Sequence, residues 1–188
     1  MLFRSIPRVE ESVFNTEDLL EACYPHNCSL LFRNRLFNRF PDFFFTLTGH
    51  DWCITVLNSL HGDIKVLPEV MGVWRMRAEG LWGGKPDSFH LRHSITFLNH
   101  MKSVLPQSLH KTISTQITKN TLSLSDAFLR ERKIVEAQKS FNEISLLKSL
   151  GYFYSRKWLS LFARVKFPRA YRFLLNLRNL ALKKSLAS

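Results

Sequence analysis

Apolar positions recur at helical spacing over several stretches of the chain and crowd together at strand length in a few others. After Asp51, the residues Trp52, Val56, Leu57 and Leu60 share one helical face, and Gly62 stands where a left-handed cap would end the helix. Thr16-Glu17-Asp18-Leu19-Leu20 reads as a capped helical turn, with acid where the positive end of the backbone dipole favours it. Three short apolar runs point to strands. Cys28 to Phe32 reads as a buried one, Ile64, Val66 and Leu67 form a second that Pro68 interrupts, and Val70 to Met76 form a third. Beyond Gly84 the pattern turns helical. Ser88 can cap a helix in which Leu91, Ile95, Leu98, Met101 and Leu105 share a face until Pro106 stops it. Lys111 to Thr121 is weakly patterned. Ser123-Leu124-Ser125-Asp126 resembles a capping box before a helix striped by Ile134, Ala137, Phe141, Ile144 and Leu147 and ending at Gly151. These elements predict an α/β region over residues 1–86, a helical extension over 87–150 and an all-helical tail over 151–188.

Composition narrows the class. The 188 residues have the length of one domain, and 45% apolar with 13% aromatic content is enough for a core, which excludes a disordered chain. Three cysteines are an odd number, and no secretory apolar stretch opens the chain, so a reducing cytosolic setting is expected. No apolar run approaches the roughly 18 residues that a membrane span needs.

Most of the formal charge of +12 lies in the tail, where all nine charged residues from Gly151 onward are basic. After Pro168, Arg169, Arg172, Asn176, Asn179 and Lys183 fall on one helical face and Phe173, Leu174, Leu177 and Leu180 on the other. Before it, Lys157, Ser160 and Arg164 oppose Trp158, Leu159, Phe162 and Val165, with Lys166 close behind. A basic face opposite an apolar one suits an anionic membrane surface, with Arg164, Lys166, Arg169, Arg172 and Lys183 as the binding cations. The alternative is a terminal helix pair packed on the domain with its basic face in water. Nucleic-acid binding is disfavoured, because the charges interleave with Leu and Phe instead of forming a polar stripe with stacking aromatics.

Candidate chemistry concentrates between Gly49 and Trp82. Asp51 sits at the N-terminal edge of its helix, where it serves either as a cap or as a carboxylate able to accept a proton. Trp74-Arg75-Met76-Arg77 and Gly80-Leu81-Trp82 place two guanidiniums and two indoles around a loop, a composition suited either to a phosphate or a sugar ring or to a solvated strand end with a packed Trp. Other clusters carry less. Cys23, His26 and Cys28 match no standard zinc spacing, His90 and His93 read as a surface pair more readily than as a chelate, and the phenylalanines from Phe37 to Phe45 read as a core-packing turn around Pro41.

The segment from about Asn15 to Trp82, with its Cys-Ser-Leu-Leu-Phe-Arg run, its Gly-His-Asp-Trp helix start and its Trp-Arg-Met-Arg-Ala-Glu-Gly loop, resembles the acceptor-side half of family-2 glycosyltransferases. The resemblance implies a truncated glycosyltransferase A-type fold and inverting transfer from a nucleotide-sugar to a glycan or lipid-linked acceptor. It makes Asp51 the general base, puts Trp52, Trp74, Gly80 and Trp82 around the acceptor, and gives Arg75 and Arg77 to the leaving diphosphate. Two departures bear on activity. Arg77 stands where the family has a histidine, and none of the aspartates forms the Asp-x-Asp metal motif of the donor half. The chain is therefore expected to be either a piece of a broken or split gene or the partner of a separately encoded donor-binding half, and to hold no cofactor itself, with a divalent metal arriving only with the donor half. Acceptor chemistry and the tail together point to a cytoplasmic protein on the inner face of a membrane. The alternative is a non-catalytic membrane-surface or protein-binding module.

Overall fold

A computed structural model describes residues 13–21, 29–47, 49–67, 79–80, 82–144, 156–171 and 173. They form a mostly helical protein with one small antiparallel sheet. Two units cluster separately: Met1–Lys85 with His93–Ile117, and Pro86–Arg92 with Thr118–Ser188.

In the first unit, β1 (Val13–Phe14) pairs with β2 (Ile64–Lys65), Val13 opposite Lys65 and Phe14 opposite Ile64. Helix α1 (Thr16–Glu21) follows at once. Its cap is Asn15, whose side chain accepts the Asp18 N–H at 3.0 Å while the Asp18 carboxylate accepts the Asn15 N–H at 3.0 Å. That reciprocal pair satisfies two donors at the helix start. Leu19 and Leu20 are fully buried and α1 packs on α2 (His50–Ser59). A ten-residue helix is marginal in water, so α2 depends on burying Cys53, Val56 and Leu57 in one core with Leu98 and Met101 of α3 (Asp87–Val104). The buried polar side chains of α2 return to backbone: Thr55 Oγ1 donates to the Asp51 carbonyl, Asn58 Nδ2 to that of Ile54 and Ser59 Oγ to that of Val56. Pro106 ends α3, a 3-10 turn (Gln107–Leu109) reverses the chain, and α4 (His110–Arg130) begins. His110 Nε2 lies 3.1 Å from the Leu105 carbonyl, and Lys102 Nζ donates to Ser114 Oγ at 3.0 Å.

In the second unit α4 ends at a reversal built without glycine. Arg132 takes the left-handed conformation (φ 62°), its N–H donates to the Leu129 carbonyl and the Lys133 N–H to that of Phe128. This is the Schellman pattern, with arginine where glycine is usual. Helix α5 (Ile134–Asn142) then packs against α6 (Arg156–Lys166). Phe141, Trp158, Leu161 and Val165 form the second core, and Gln138 Nε2 donates to the Val165 carbonyl at 3.1 Å.

Several expectations change. The α/β reading survives only as one ladder of two-residue strands within a mostly helical chain, and no glycosyltransferase A-type sheet occurs among the described residues. Leu31 and Phe32, expected in a buried strand, lie in irregular backbone at 97% and 49% exposure, and among the described residues no strand pairs with them. The Val70–Met76 strand lies outside the described residues. Lys111 to Thr121 is continuous helix, and Ser123 to Asp126 is mid-helix. The buried Ser125 hydroxyl donates to the Ala137 carbonyl instead of capping anything. The single helix expected up to Gly151 is divided by the Arg132 reversal; Ala137 and Phe141 of its stripe are buried, whereas Ile134 is 36% exposed.

Candidate functional site

The N-terminus of α2 is set by glycine. Gly49 is the N-cap residue with φ 91° and ψ 59°, a left-handed conformation that side chains disfavour. It also lies under an indole: a Cβ placed on Gly49 would come within 2.9 Å of Trp82 Cζ2 and 3.5 Å of Asp51 Oδ1. Carboxylate and indole therefore both approach the space where a Gly49 side chain would begin. Trp82 is 36% exposed, and its ring meets His93 edge-on at 5.1 Å between centroids.

Because Gly49 is the cap, Asp51 belongs to the first helical turn and is not itself the N-cap. Among the described residues its carboxylate accepts one hydrogen bond, from the Trp52 N–H at 3.1 Å. The side chain is partly exposed, and carboxylate lone pairs remain to accept from a ligand hydroxyl. Unsatisfied amides of the first helical turn favour an anion at this position.

Trp52 turns the other way. Its Nε1–H donates to the Leu19 carbonyl at 2.6 Å, and its ring stacks on Phe97 with centroids 4.0 Å apart. The residue expected to line an acceptor pocket thus joins α1, α2 and α3 within the first core. Gly80 lies in a partly buried bend two residues before Trp82. Trp74, Arg75 and Arg77 lie outside the described residues, as do Cys23, His26 and Cys28. No cluster of three metal-ligating side chains occurs among the described residues.

Cys53, beside Asp51 in the sequence, faces away from the site. It is fully buried with Sγ 4.0 Å from Met101 Sδ, and burial pushes its thiol up to about 12. A thiol held neutral in this way is a poor nucleophile.

The tail cations divide. Arg164 pairs with Asp126 at 2.6 Å, Lys166 Nζ donates to Asn142 Oδ1 at 2.7 Å, and Arg169 is exposed. Arg172 and Lys183 lie outside the described residues. Trp158, Leu161 and Val165 are buried against α5, so most of the apolar face of α6 is already covered by protein. Leu159, Phe167 and Phe173 stay exposed. Among the described residues no helix is long and apolar enough to cross a membrane.

The sequence reading missed Gly49 and His93 as parts of the site. A glycine two residues before a helix-opening aspartate is a local signal that was available. The contact of His93 with Trp82 had no such signal, since it joins a loop residue to α3 at positions that share no periodic pattern. Compared with known proteins, the chain matches no family model, no curated protein and no solved structure.

Proposed function

We propose that this chain supplies the acceptor side of an inverting, family-2-like glycosyltransferase, with Asp51 as general base. The supporting observation is that the Asp51 carboxylate and the Trp82 ring both lie within 4 Å of where a Gly49 Cβ would stand, at a helix N-terminus. An indole face gives a sugar ring an apolar platform, and a carboxylate beside it can orient and deprotonate one hydroxyl. In the reaction the acceptor O–H gives its proton to Asp51 and its oxygen attacks the anomeric carbon from the side opposite the leaving group. The bond from that carbon to the nucleoside diphosphate breaks, and the electron pair leaves with the diphosphate, whose charge Arg75 and Arg77 are suited to meet. The donor and its divalent metal come with a separate donor-binding half, and the acceptor is a glycan or lipid-linked sugar at the inner membrane face.

The experiment is a transfer assay with the purified chain, alone and with a candidate donor-binding partner. The isolated chain is expected to transfer nothing. In the reconstituted pair, Asp51→Asn should abolish turnover and leave nucleotide-sugar binding unchanged, because the base acts on the acceptor. Undiminished turnover by Asp51→Asn would reject the assignment. A second reading, a binding module without catalysis, draws on Trp52, whose packing against the core turns it away from the expected acceptor pocket. Under that reading, acceptor glycans bind equally well to Asp51→Asn and no partner restores transfer.

A further inference from the structure

The tail concentrates the positive charge of the sequence, yet the first unit carries a basic and apolar patch of its own. Residues 30–41 form no helix or strand. Within them Leu31 is 97% exposed and Phe32 49% exposed, and Arg33, Arg35 and Arg39 are exposed as well. No acidic residue occurs between Glu21 and Asp42, and Arg39 pairs with Asp42. The chain turns at Arg35, whose φ of 65° is left-handed.

The neighbouring phenylalanines show that this exposure is selective. Phe37, Phe40, Phe43 and Phe44 pack against the first core, whereas Phe45 is 74% exposed. An open groove of about 480 Å³ lies where the loop meets the Phe-rich turn, lined by Arg39, Phe40, Pro41, Asp42, Phe43 and Val104. A core that accepts four phenylalanines leaves the adjacent Leu31, Phe32 and Phe45 in water.

We infer that this loop docks on an anionic lipid surface. The arginines complement lipid phosphates, and the exposed leucine and phenylalanine enter the boundary between headgroups and acyl chains. A nucleic acid would use flat aromatic faces and gain nothing from a fully exposed leucine, so the aliphatic side chain favours the bilayer. This site is distinct from the tail and does not depend on the glycosyltransferase reading.

Co-sedimentation of the full chain with vesicles tests it. Vesicles of phosphatidylcholine with phosphatidylserine should carry the protein down, and phosphatidylcholine alone should not. Each arginine near an anionic surface is worth about a fivefold change in partition, so Arg33→Gln with Arg35→Asn should weaken binding about 25-fold. Asparagine is chosen at Arg35 because it tolerates the left-handed backbone. Leu31→Ser with Phe32→Ser should weaken binding at least about tenfold through lost apolar burial. These exposed positions leave the cores untouched, and unchanged far-ultraviolet circular dichroism confirms folding. Partition of both double variants equal to wild type would overturn the inference, as would failure of the wild type to sediment. Single-stranded DNA that displaces the vesicles and binds Leu31→Ser with Phe32→Ser undiminished would assign the arginines to nucleic acid and likewise overturn it.

Discussion

Gly49→Ala probes the candidate site through two separable penalties. The first is conformational: at φ 91° and ψ 59° an alanine loses about 1–2 kcal/mol relative to an ordinary backbone position. The second is steric, because the new Cβ would lie 2.9 Å from Trp82 Cζ2, well inside the roughly 3.5–4.0 Å at which carbon atoms rest together. Trp82 is 36% exposed and can swing outward, so this overpacking should fall near the low end of its usual range, about 1 kcal/mol. The sum is about 2–3 kcal/mol, read from urea unfolding. In a Trp82→Ala background only the conformational part should remain, and the double-mutant cycle should return about 1 kcal/mol of coupling. Gly62→Ala provides the control, since its φ of 151° also disfavours a side chain but no atom lies within 4 Å of the added Cβ. Its cost should not change with Trp82→Ala. Zero coupling between Gly49→Ala and Trp82→Ala would refute the placement of the indole beside Asp51. A neutral Gly49→Ala would refute the left-handed start of α2.

Two further outcomes test the second unit. Arg132→Gly should stabilise the protein by about 0.5–1 kcal/mol in the same assay, since glycine adopts the left-handed position without a Cβ penalty; destabilisation would mean that α4 does not end there. The Glu131 carboxylate is held below its usual range first by the Lys133 hydrogen bond at 2.8 Å, against partial burial, and further by the hydroxyl and N–H of Ser88 at 2.9 and 3.2 Å. A lowered folded-state value gives stability that is present above the ordinary glutamate range and lost as pH falls through the folded value. Glu131→Gln should therefore lose stability at neutral pH and show a shallower decline on acidification, and an unaltered acid profile would contradict the assignment.

Elements that carry their own punctuation were legible along the chain. Helix α3 was readable from its apolar stripe and from Pro106, and α1 from acidic residues in its first turn, although the cap proved to be Asn15, one residue earlier. The reversal at Arg132 was not readable, because a left-handed arginine leaves no mark of the kind glycine leaves. The buried strand expected at Leu31 and Phe32 failed for a different reason. An apolar run shows an affinity for a nonpolar environment but does not say whether the fold provides one.

The sequence by itself determined which residue types stand close together: an aspartate opening a helix, a tryptophan and glycine-rich loop some thirty residues on, and a tail whose charges are all basic. Local periodicity and backbone preference are short-range properties, and they are sufficient for that much. Only the tertiary structure decided which of those residues meet. It set Trp82 against Gly49 beside Asp51 and turned Trp52 inward onto Phe97. It also covered most of the apolar face of α6 with α5. Those outcomes depend on which surfaces compete for the same buried volume, a property of the assembled chain that no single stretch of it contains.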